Sequence, residues 1–516
     1  MISPYAVENY LSRELRDLNV RKRWSAAKVE RKLSELSPRP TFVTEPHHYQ
    51  RIGFYLLATL PHVLLLWDMG LGKTKTVLDV VRWHKAAKHL KRVLVLVPNV
   101  VNLDSWRAEI EKHAPDLTAS YVFGDKQARM EAVEEETDLC VCTYAGLNHL
   151  CCGKVKGKSK KKMVIDPQRM AHVRGQFQGV VWDECTALLN HRSLQFQIAR
   201  ELGKDYTMRV GMTGTPMGRD PHVLWSQFYA VDRGETLGST LGIFRQAFFT
   251  SRENYWGGWD HVFKRSMTPQ LQRLMANRSI RYRADECMDL PEKIMVERPV
   301  RMTDEQWDYY RAVLDRVREE HKSGLLDVEN AFVRLRQITS GFVSVGGEPS
   351  ALAASPKLDT LLAVIDELDE SEKMVVWNEF IYSGDRIAEA LEERGVTFSR
   401  LYSGTKDKAG ELQRFLDTGE HGSRVLVANS RSGSFGTNLQ VARYEVFYES
   451  PVSPIVREQA ERRCLRQGQK RSVFIYDIIA RHTIDQKIQR FLAEGKDLSA
   501  ALMGGGYRLL EEREKL

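Results

Sequence analysis

Short apolar runs alternate with longer amphipathic segments over much of the chain. In the first half the apolar runs lie at 63–68, 92–98, 138–144, 179–184 and 209–215. The segments between them repeat apolar residues at helical spacing. Strands that are apolar on both faces and separated by helices are typical of a parallel sheet covered by helices on both sides. The pattern therefore predicts an α/β domain over residues 41–232.

The same alternation returns in the last third of the chain and predicts a second α/β domain over residues 351–495. Its apolar runs lie at 373–380, 397–404, 424–430, 445–450 and 472–480. Residues 233–350 lack such runs and are predicted to form a mainly helical insertion. Residues 1–40 are predicted to form a helical N-terminal segment and residues 496–516 a C-terminal tail.

Composition narrows the class of protein. The chain has 516 residues, which fits two to four domains, and its 76 basic and 68 acidic residues allow a polyanionic partner without requiring one. Seven cysteines at irregular spacing argue for a reducing compartment, cytoplasmic or nucleoid-associated. The longest apolar stretch, residues 54–67, is interrupted by Pro61 and is too short to cross a bilayer, and the start of the chain lacks a signal-peptide pattern. No membrane partner is expected.

The segment MGLGKT, Met69 to Thr74, lies between a predicted strand and a predicted helix. Gly70 and Gly72 allow backbone N–H groups to face phosphate oxygens at a helix N-terminus. Lys73 would reach the β and γ phosphates, and the Thr74 hydroxyl would bind Mg²⁺. The strict phosphate-loop pattern has glycine where this chain has Trp67. A glycine-rich structural turn is the alternative, and the strand–loop–helix context favours the nucleotide site.

Asp183 and Glu184 follow the apolar run GVVW, at the edge where a parallel sheet binds ligands. Asp183 would hold Mg²⁺, and Glu184 would orient and deprotonate the attacking water. Residues 285–287 repeat the tripeptide Asp-Glu-Cys but follow SIRYRA, which does not read as a buried strand. No second site is predicted there.

Four motifs occur in a fixed order: MGLGKT, DECT at 183–186, TGTP at 213–216 and QAERRCLRQGQ at 459–469. With them the chain resembles the Swi/Snf-type ATPases of helicase superfamily two. The last motif fits the family pattern QxxxRxxRxGQ. Tyr49-Gln50, LVPNVVNLDSW, CTYAGL, SGSFGTNL, LRQITSG and DLPEK match as well, so the resemblance covers about residues 45 to 493.

The resemblance implies two RecA-like lobes that use ATP and Mg²⁺ and move along duplex DNA, commonly without separating its strands. The catalytic residues it implies are Lys73, Asp183, Glu184 and the arginine fingers Arg463 and Arg466. The ATP-binding residues it implies are Gln50, Met69, Gly70, Leu71, Gly72, Lys73, Thr74, Gly436 and Gln459. The two expected Mg²⁺ ligands are Thr74 and Asp183.

Three positions depart from the family pattern. Thr186 and Leu465 replace histidines, and Gly218 stands where glutamine is usual. The positions of Thr186 and Gly218 help couple hydrolysis to lobe movement in the family, so the departures concern coupling more than hydrolysis.

DNA contacts are expected from small polar residues in loops that follow strands, because hydroxyl, amide and backbone N–H groups grip phosphates without reading bases. The candidates are Asn99, Thr143, Tyr144, Ser403, Gly404, Ser430, Arg431, Ser432 and Asn438. The lysine run at 154–162 would contact the DNA backbone or form a solvated loop. Tyr255, Trp256 and Trp259 would stack on bases or, as such aromatics more often do, fill a core.

The sequence therefore predicts a DNA-dependent ATPase that tracks along duplex or branched DNA without base specificity. A fork-remodelling or strand-annealing helicase is the alternative enzyme, and a non-catalytic DNA-binding scaffold is the alternative from another class. The sequence identifies no protein that recruits the chain.

Overall fold

The computed structural model describes residues 22, 24–60, 62–156, 161–214, 221–253, 259–287, 291–323, 327–430, 438–466, 468–494, 498 and 510. The chain divides into two compact units, Met1–Met288 and Asp289–Leu516, called unit 1 and unit 2 below.

Unit 1 is built around a seven-stranded parallel sheet with the strand order β11-β1-β8-β7-β2-β4-β3. Its strands, including two antiparallel hairpins, are β1 (His62–Trp67), β2 (Val93–Val97), β3 (Ala119–Val122), β4 (Leu139–Thr143), β5 (Cys152–Lys156), β6 (Lys161–Ile165), β7 (Gly179–Asp183), β8 (Met208–Met212), β9 (Phe249–Glu253), β10 (Trp259–Phe263) and β11 (Ser279–Tyr282). The hairpins are β5–β6 and β9–β10.

The helices of unit 1 are α1 (Ala26–Ser34), α2 (His48–Thr59), α3 (Lys73–Ala86), α4 (Val100–His113), α5 (Lys126–Glu134), α6 (Tyr144–Cys151), α7 (Pro167–Gly175), α8 (Leu194–Leu202), α9 (Leu224–Asp232), α10 (Leu241–Phe248), α11 (Thr268–Met275) and α12 (Ala284–Cys287). Glycines allow close contacts both between a helix and the sheet and between neighbouring strands. A Cβ at Gly53 of α2 would lie 2.5 Å from the Trp67 ring, and a Cβ at Gly211 of β8 would lie 2.4 Å from Leu64.

The segment SIRYRA corrects one interpretation of the sequence. It contains β11, which pairs in parallel with β1 from Ser279 opposite Leu64 to Tyr282 opposite Trp67. Ser279, Ile280 and Tyr282 are buried, so this is a buried edge strand. The strand was not predicted from the sequence because edge strands contain polar residues between their apolar ones. Arg281, which is exposed, is such a residue.

Unit 2 contains a six-stranded parallel sheet with the order β12-β19-β18-β15-β17-β16. Its strands are β12 (Lys293–Val300), β13 (Phe342–Val345), β14 (Glu348–Ala351), β15 (Met374–Asn378), β16 (Phe398–Leu401), β17 (Val425–Asn429), β18 (Tyr444–Phe447) and β19 (Val473–Ala480), with β13–β14 as an antiparallel hairpin. Its helices are α13 (Asp304–Ser323), α14 (Val328–Thr339), α15 (Pro356–Asp366), α16 (Ile381–Glu393), α17 (Lys408–Leu416), α18 (Pro454–Glu461) and α19 (Ile484–Ala493).

The predicted α/β class is confirmed, since each unit has a parallel sheet with helices between its strands. The division of the chain differs from the predicted one. The residues predicted as a helical insertion, 233–350, contain helices α10 to α14 but also strands β9 to β14, and they fall into both units. Within the predicted N-terminal helical segment, residues 1–40, the structure describes one helix, α1. Most of the C-terminal tail lies outside the described residues.

No helix in the described ranges has the length and apolar character that crossing a membrane requires.

Unit 2 contains a cluster of buried charged residues around Arg457. The Arg457 guanidinium donates to both carboxylate oxygens of Asp477 at 2.5 and 2.8 Å and to Glu461 at 2.7 Å. Nearby, Glu445 of β18 is fully buried and accepts a 2.8 Å hydrogen bond from Trp377 Nε1. Burial, reinforced by the neighbouring Glu461, raises the pKa of Glu445 from 4.5 to about 8, so the carboxyl is mainly protonated in the fold near neutral pH.

We expect Glu445→Gln to stabilise the protein more at pH 8 than at pH 5. As pH rises above 4.5 the unfolded chain ionises Glu445 while the folded chain does not until about 8, so the wild type loses stability that a neutral amide keeps. Thermal unfolding of both proteins at the two pH values measures the effect. Glu392→Gln, an exposed change on α16, is the control and should show no such trend. An equal difference at both pH values would contradict the prediction.

Candidate functional site

The phosphate loop of unit 1 leaves the carboxyl end of β1 and enters α3. Gly70 and Gly72 have left-handed backbones, with φ of 82° and 71°. Side chains such as Asn99, Thr143 and Ser193 cap the N-termini of other helices, but α3 begins after Gly72, with no side-chain cap. Its first-turn N–H groups are therefore placed to bind an anion.

Lys73 is the first residue of α3, and its Nζ donates to the carbonyl oxygens of Trp67 at 2.9 Å and Asp68 at 3.3 Å. Its ammonium is thus held over the loop. Thr74 follows in the same turn and is half-buried. Met69 and Leu71 complete the loop, and Leu71 is buried.

Gln50 of α2 is held against this loop. Its Nε2 donates to the Leu71 carbonyl oxygen at 3.0 Å, and its Oε1 accepts from the His47 backbone N–H at 2.9 Å. A Cβ added at Gly72 would lie 2.3 Å from Gln50 Nε2. The approach of Gln50 to the loop therefore depends on glycine at position 72.

Asp183 ends β7, at the same sheet edge as the phosphate loop. Its Oδ2 accepts from Trp106 Nε1 at 2.9 Å, its Oδ1 accepts from the Glu184 N–H at 3.0 Å, and its carbonyl oxygen accepts from Tyr144 OH at 2.9 Å. Burial raises the pKa of Asp183 above its usual value, while the Trp106 hydrogen bond and the nearby Lys73 ammonium oppose that rise. Asp183 and Lys73 therefore belong to one site.

Glu184 follows Asp183 with φ of 46° and ψ of 61°, a left-handed conformation that is unusual for a residue with a side chain. Its Oε2 accepts from the Thr213 hydroxyl at 3.1 Å. Thr213 and Gly214 follow β8, and a Cβ at Gly214 would lie 3.3 Å from the Trp67 carbonyl oxygen. A left-handed backbone such as that of Glu184 is strained, and strain of this kind is often retained at functional sites.

The DNA-contact candidates of unit 1 have internal roles. The Asn99 side chain accepts from the Asn102 N–H at 3.3 Å and caps α4. Thr143 is buried and its hydroxyl accepts from the Gly146 N–H at 2.9 Å. Tyr144 is buried too, with its hydroxyl on the Asp183 carbonyl. Thr143 and Tyr144 hold the site together from within, so their side chains are not presented to a ligand in solvent.

In unit 2 the arginine motif, residues 459–469, begins within α18 and continues beyond its end. Gln459 is a buried residue of that helix, Arg463 is buried and Arg466 is half-buried. The Arg463 carbonyl oxygen accepts from the Leu439 N–H at 3.1 Å. Gln469 Nε2 donates to the carbonyl oxygens of Gln440 and Ala442 at 3.0 and 3.1 Å. The segment that carries the arginines is therefore held in place by hydrogen bonds to residues 439–442.

The DNA-contact candidates of unit 2 differ in exposure. Ser403, Gly404 and Asn438 are exposed. Ser430 is buried and donates its hydroxyl to Glu379. Arg431, Ser432 and the ATP-binding candidate Gly436 lie outside the described residues, as do Gly218 and residues 157–160 of the lysine run.

The structure adds residues that the sequence analysis did not single out. They are Trp106 and Thr213, which each donate a hydrogen bond to one of the two carboxylates. The only sequence signal was that Trp106 ends LVPNVVNLDSW and Thr213 begins TGTP. Of the three departures, Thr186 donates its hydroxyl to the Glu184 carbonyl oxygen at 3.4 Å, and Leu465 packs beside a buried cluster of unit 2.

The residues around Asp183 fit a magnesium ion bound together with phosphates. Among the described residues no group of three His, Cys, Asp or Glu side chains could hold a metal by itself. Mg²⁺ usually keeps several waters and takes one or two carboxylates in addition to phosphate oxygens. Asp183, with each oxygen used by one hydrogen bond, and the hydroxyl of Thr74 suit this mode.

A comparison with protein families finds that the SNF2-related domain matches residues 49–341, more than half of the chain. Among curated proteins, "Putative ATP-dependent helicase/translocase YwqA" of Bacillus subtilis (strain 168) is 25% identical over 510 residues, which cover 95% of this chain and 51% of that protein. An "Uncharacterized ATP-dependent helicase" of Mycoplasma pneumoniae is 24% identical over 482 residues, which cover 90% of this chain and 43% of that protein. The chain thus spans about half the length of these relatives.

Among solved structures, the Sulfolobus solfataricus SWI2/SNF2 ATPase core in complex with dsDNA is similar, with 22% sequence identity and a TM-score of 0.41. The match covers 93% of this chain and 99% of that one. Because the family match extends from Tyr49 to Gly341, through the phosphate loop, both carboxylates and Thr213, the chain belongs to the SNF2-related domain family.

Proposed function

We propose that the chain is a DNA-dependent ATPase that uses Mg²⁺ and ATP to move along duplex DNA. The observation that carries this proposal is the arrangement in unit 1 of an uncapped helix N-terminus, Lys73, Asp183 and Glu184 at one edge of a parallel sheet. Names of the relatives, which include a helicase/translocase and ATP-dependent helicases, support the same activity. A non-catalytic scaffold would have no need for two carboxylates held by Trp106 and Thr213.

In the proposed reaction the first turn of α3 and Lys73 bind the phosphates, and Gln50 is proposed to contact the base. Mg²⁺, held through Thr74 and Asp183, would neutralise charge on the phosphates. Glu184 accepts the proton of the attacking water, and the Thr213 hydroxyl fixes the direction in which its carboxylate points. Arg463 and Arg466, with Gly436 and Gln459 beside the nucleotide, are proposed to stabilise the transition state.

DNA is the proposed activator. Exposed Ser403, Gly404 and Asn438 retain the polar character that suits phosphate contacts, and Asn99 offers its backbone at a helix N-terminus. None of these groups selects a base, which suits a motor that moves over any sequence.

Displacement of a third strand tests movement along duplex DNA. The wild type, with ATP, is expected to displace a triplex-forming strand from one end of a blunt duplex, and Lys73→Ala is expected not to. Release is followed by a fluorescent label on the third strand. If duplex DNA stimulates ATP hydrolysis strongly but the third strand stays bound, the enzyme remodels DNA locally and does not translocate.

Trp106→Phe is expected to raise the Mg²⁺ concentration needed for half-maximal ATP hydrolysis by about tenfold, because loss of a hydrogen bond to a metal-binding carboxylate typically weakens the metal by 10–100-fold. The ring still fills its buried place, so the fold should persist. A magnesium titration of the hydrolysis rate at saturating ATP measures the effect. Trp182→Phe, a buried change in β7 itself, is the control and should leave the midpoint unchanged. Equal midpoints for Trp106→Phe and the wild type would contradict the prediction.

A further inference from the structure

Asp68 is a buried carboxylate at the point where β1 ends and the phosphate loop begins. Its Oδ2 accepts a 2.9 Å hydrogen bond from the backbone N–H of Ala284, which lies 216 positions further along the chain. Its own backbone N–H donates to the Tyr282 carbonyl oxygen at 3.0 Å. These two bonds hold the start of the loop against the segment that contains β11 and α12.

The helix α12 is the last element of unit 1. It begins at Ala284 and ends at Cys287, and unit 1 ends one residue later, at Met288. The chain then continues into unit 2. The bond from Ala284 to Asp68 uses the first N–H of the helix, which has no partner within the helix itself. Asp68 therefore connects the phosphate loop to the part of unit 1 that leads into the other unit.

Aromatic residues of the nucleotide site pack against the same segment. Tyr49, the neighbour of Gln50 in α2, lies 5.6 Å from Tyr282 between ring centroids, and Trp67 of β1 lies 5.4 Å from Tyr282. The Tyr49 and Trp67 rings are 5.7 Å apart, and all three aromatic residues are buried. Because close-packed interiors transmit small displacements, a shift at the phosphate loop would reach Tyr282 and α12.

Lys73 has two competing sets of hydrogen-bond partners. In the structure its ammonium donates to the carbonyl oxygens of Trp67 and Asp68. The proposed function requires it to bind the β and γ phosphates of ATP. An ammonium has three protons, so two bonds to phosphates leave at most one for the two carbonyls. The longer bond, to the Asp68 carbonyl at 3.3 Å, is the one we expect to break.

We propose that nucleotide binding at the phosphate loop releases α12 through Asp68. When Lys73 turns to the phosphates, the Asp68 backbone loses a hydrogen bond and its carboxylate holds Ala284 less firmly. Asp68 is therefore a positioning residue, which acts on the segment that leads into unit 2 and does not touch the nucleotide. The inference rests on the proposed function, because it requires the loop to bind ATP. It adds the identity of the segment that responds.

Cys287 provides a natural probe of α12. Its side chain is half-buried, whereas the other six cysteines of the chain are buried. A thiol reagent should therefore react first at Cys287, and Cys287→Ser should remove this first reaction. The rate of modification by a chromogenic disulfide is measured on the full chain, with and without Mg²⁺ and a non-hydrolysable ATP analogue.

In the wild type the analogue is expected to raise the rate of Cys287 modification by about tenfold, the effect of losing one hydrogen bond to a charged group. Asp68→Ala should react at the fast rate with or without the analogue. Asp68→Asn should keep the response, because its amide oxygen can still accept from the Ala284 N–H.

A second variant tests the same bond from its other end. Ala284→Pro removes the N–H and leaves Asp68 in place, and proline is tolerated at the first position of a helix. It should behave as Asp68→Ala does, so one folded variant of the two is enough for the test. Asp138→Ala is the matched control, since Asp138 accepts from the Thr118 N–H at 2.8 Å elsewhere in unit 1. It should respond to the analogue as the wild type does.

Affinity for the analogue separates coupling from damage to the loop. Coupling between two sites is reciprocal, so a variant whose α12 is already released should bind the analogue about tenfold more tightly than the wild type. A substitution that merely disturbed the loop would weaken binding. Equilibrium binding of a labelled analogue to Asp68→Ala and Ala284→Pro measures the difference.

The proposal is overturned if the folded variants keep the wild-type response of Cys287, or if they bind the analogue more weakly. It is also overturned if the wild type binds the analogue and the rate at Cys287 does not change. Failure of the proposed function gives a different result, in which the wild type does not bind the analogue at all.

Discussion

Glu184→Gln is expected to reduce ATP turnover by about 10²- to 10⁴-fold, the usual contribution of a general base, while ATP and Mg²⁺ still bind. The amide keeps the length of the side chain, and its oxygen can still accept from Thr213 as the carboxylate does. The amide cannot accept a proton from the attacking water. Phosphate release in the steady state measures turnover, and equilibrium binding of a labelled nucleotide measures affinity.

Lys73→Ala is the matched variant for that experiment. It removes the ammonium that lies on the Trp67 and Asp68 carbonyls and leaves Glu184 in place. We expect it to lose turnover together with phosphate binding or activation, whereas Glu184→Gln loses turnover alone and traps the nucleotide. Near wild-type turnover in Glu184→Gln would show that another group accepts the proton.

Arg466→Ala is expected to lower the DNA-stimulated rate of ATP hydrolysis by about 10³-fold or more, the contribution of a removed arginine finger. Basal hydrolysis, nucleotide affinity and DNA affinity should remain close to those of the wild type. The reason is that the proposed contact of Arg466 with the γ-phosphate forms only in the conformation that DNA stabilises. A merely structural arginine would lower both rates through misfolding.

Rates with and without duplex DNA, measured beside the two affinities, decide the role of Arg466. Arg462→Ala is a suitable control, because Arg462 belongs to the same segment but pairs with Glu458 at 2.8 Å near the surface. If Arg466→Ala keeps full stimulation, Arg463 is the next arginine to test. Arg463 is buried, so its replacement needs a folding control as well.

The central strands could be predicted from the sequence, and several edge strands could not. β1, β2, β4, β7 and β8 are continuous apolar runs because both of their faces are buried, and the predicted ranges contain or nearly contain them. β3, β11 and β12 were missed, and each lies at the edge of its sheet. In β12 exposed and half-buried residues alternate, so its apolar residues do not form a run.

In the candidate site, residues with clear local sequence signals could be predicted, and contacts between residues far apart in the chain could not. Lys73, Thr74, Asp183 and Glu184 could be identified because strand, loop and helix signals surround them on the chain. The role of Trp106 could not, since its hydrogen bond to Asp183 joins residues 77 positions apart. The burial of Thr143 and Tyr144 could not be predicted either. A polar residue that follows a strand is expected to be exposed unless its hydrogen-bond partner is known.

The pairing of β1 with β11 has a consequence for synthesis of the chain. Leu64 pairs with Ser279, and the other neighbour of β1, β8, begins at Met208. At roughly 5 to 20 residues per second, a ribosome needs on the order of 10 to 40 seconds after β1 to supply β11. During that time the apolar strand that leads to the phosphate loop has an unpaired edge. A nascent chain that stops before residue 279 should therefore aggregate or recruit a chaperone, whereas one that extends beyond Cys287 can close the sheet.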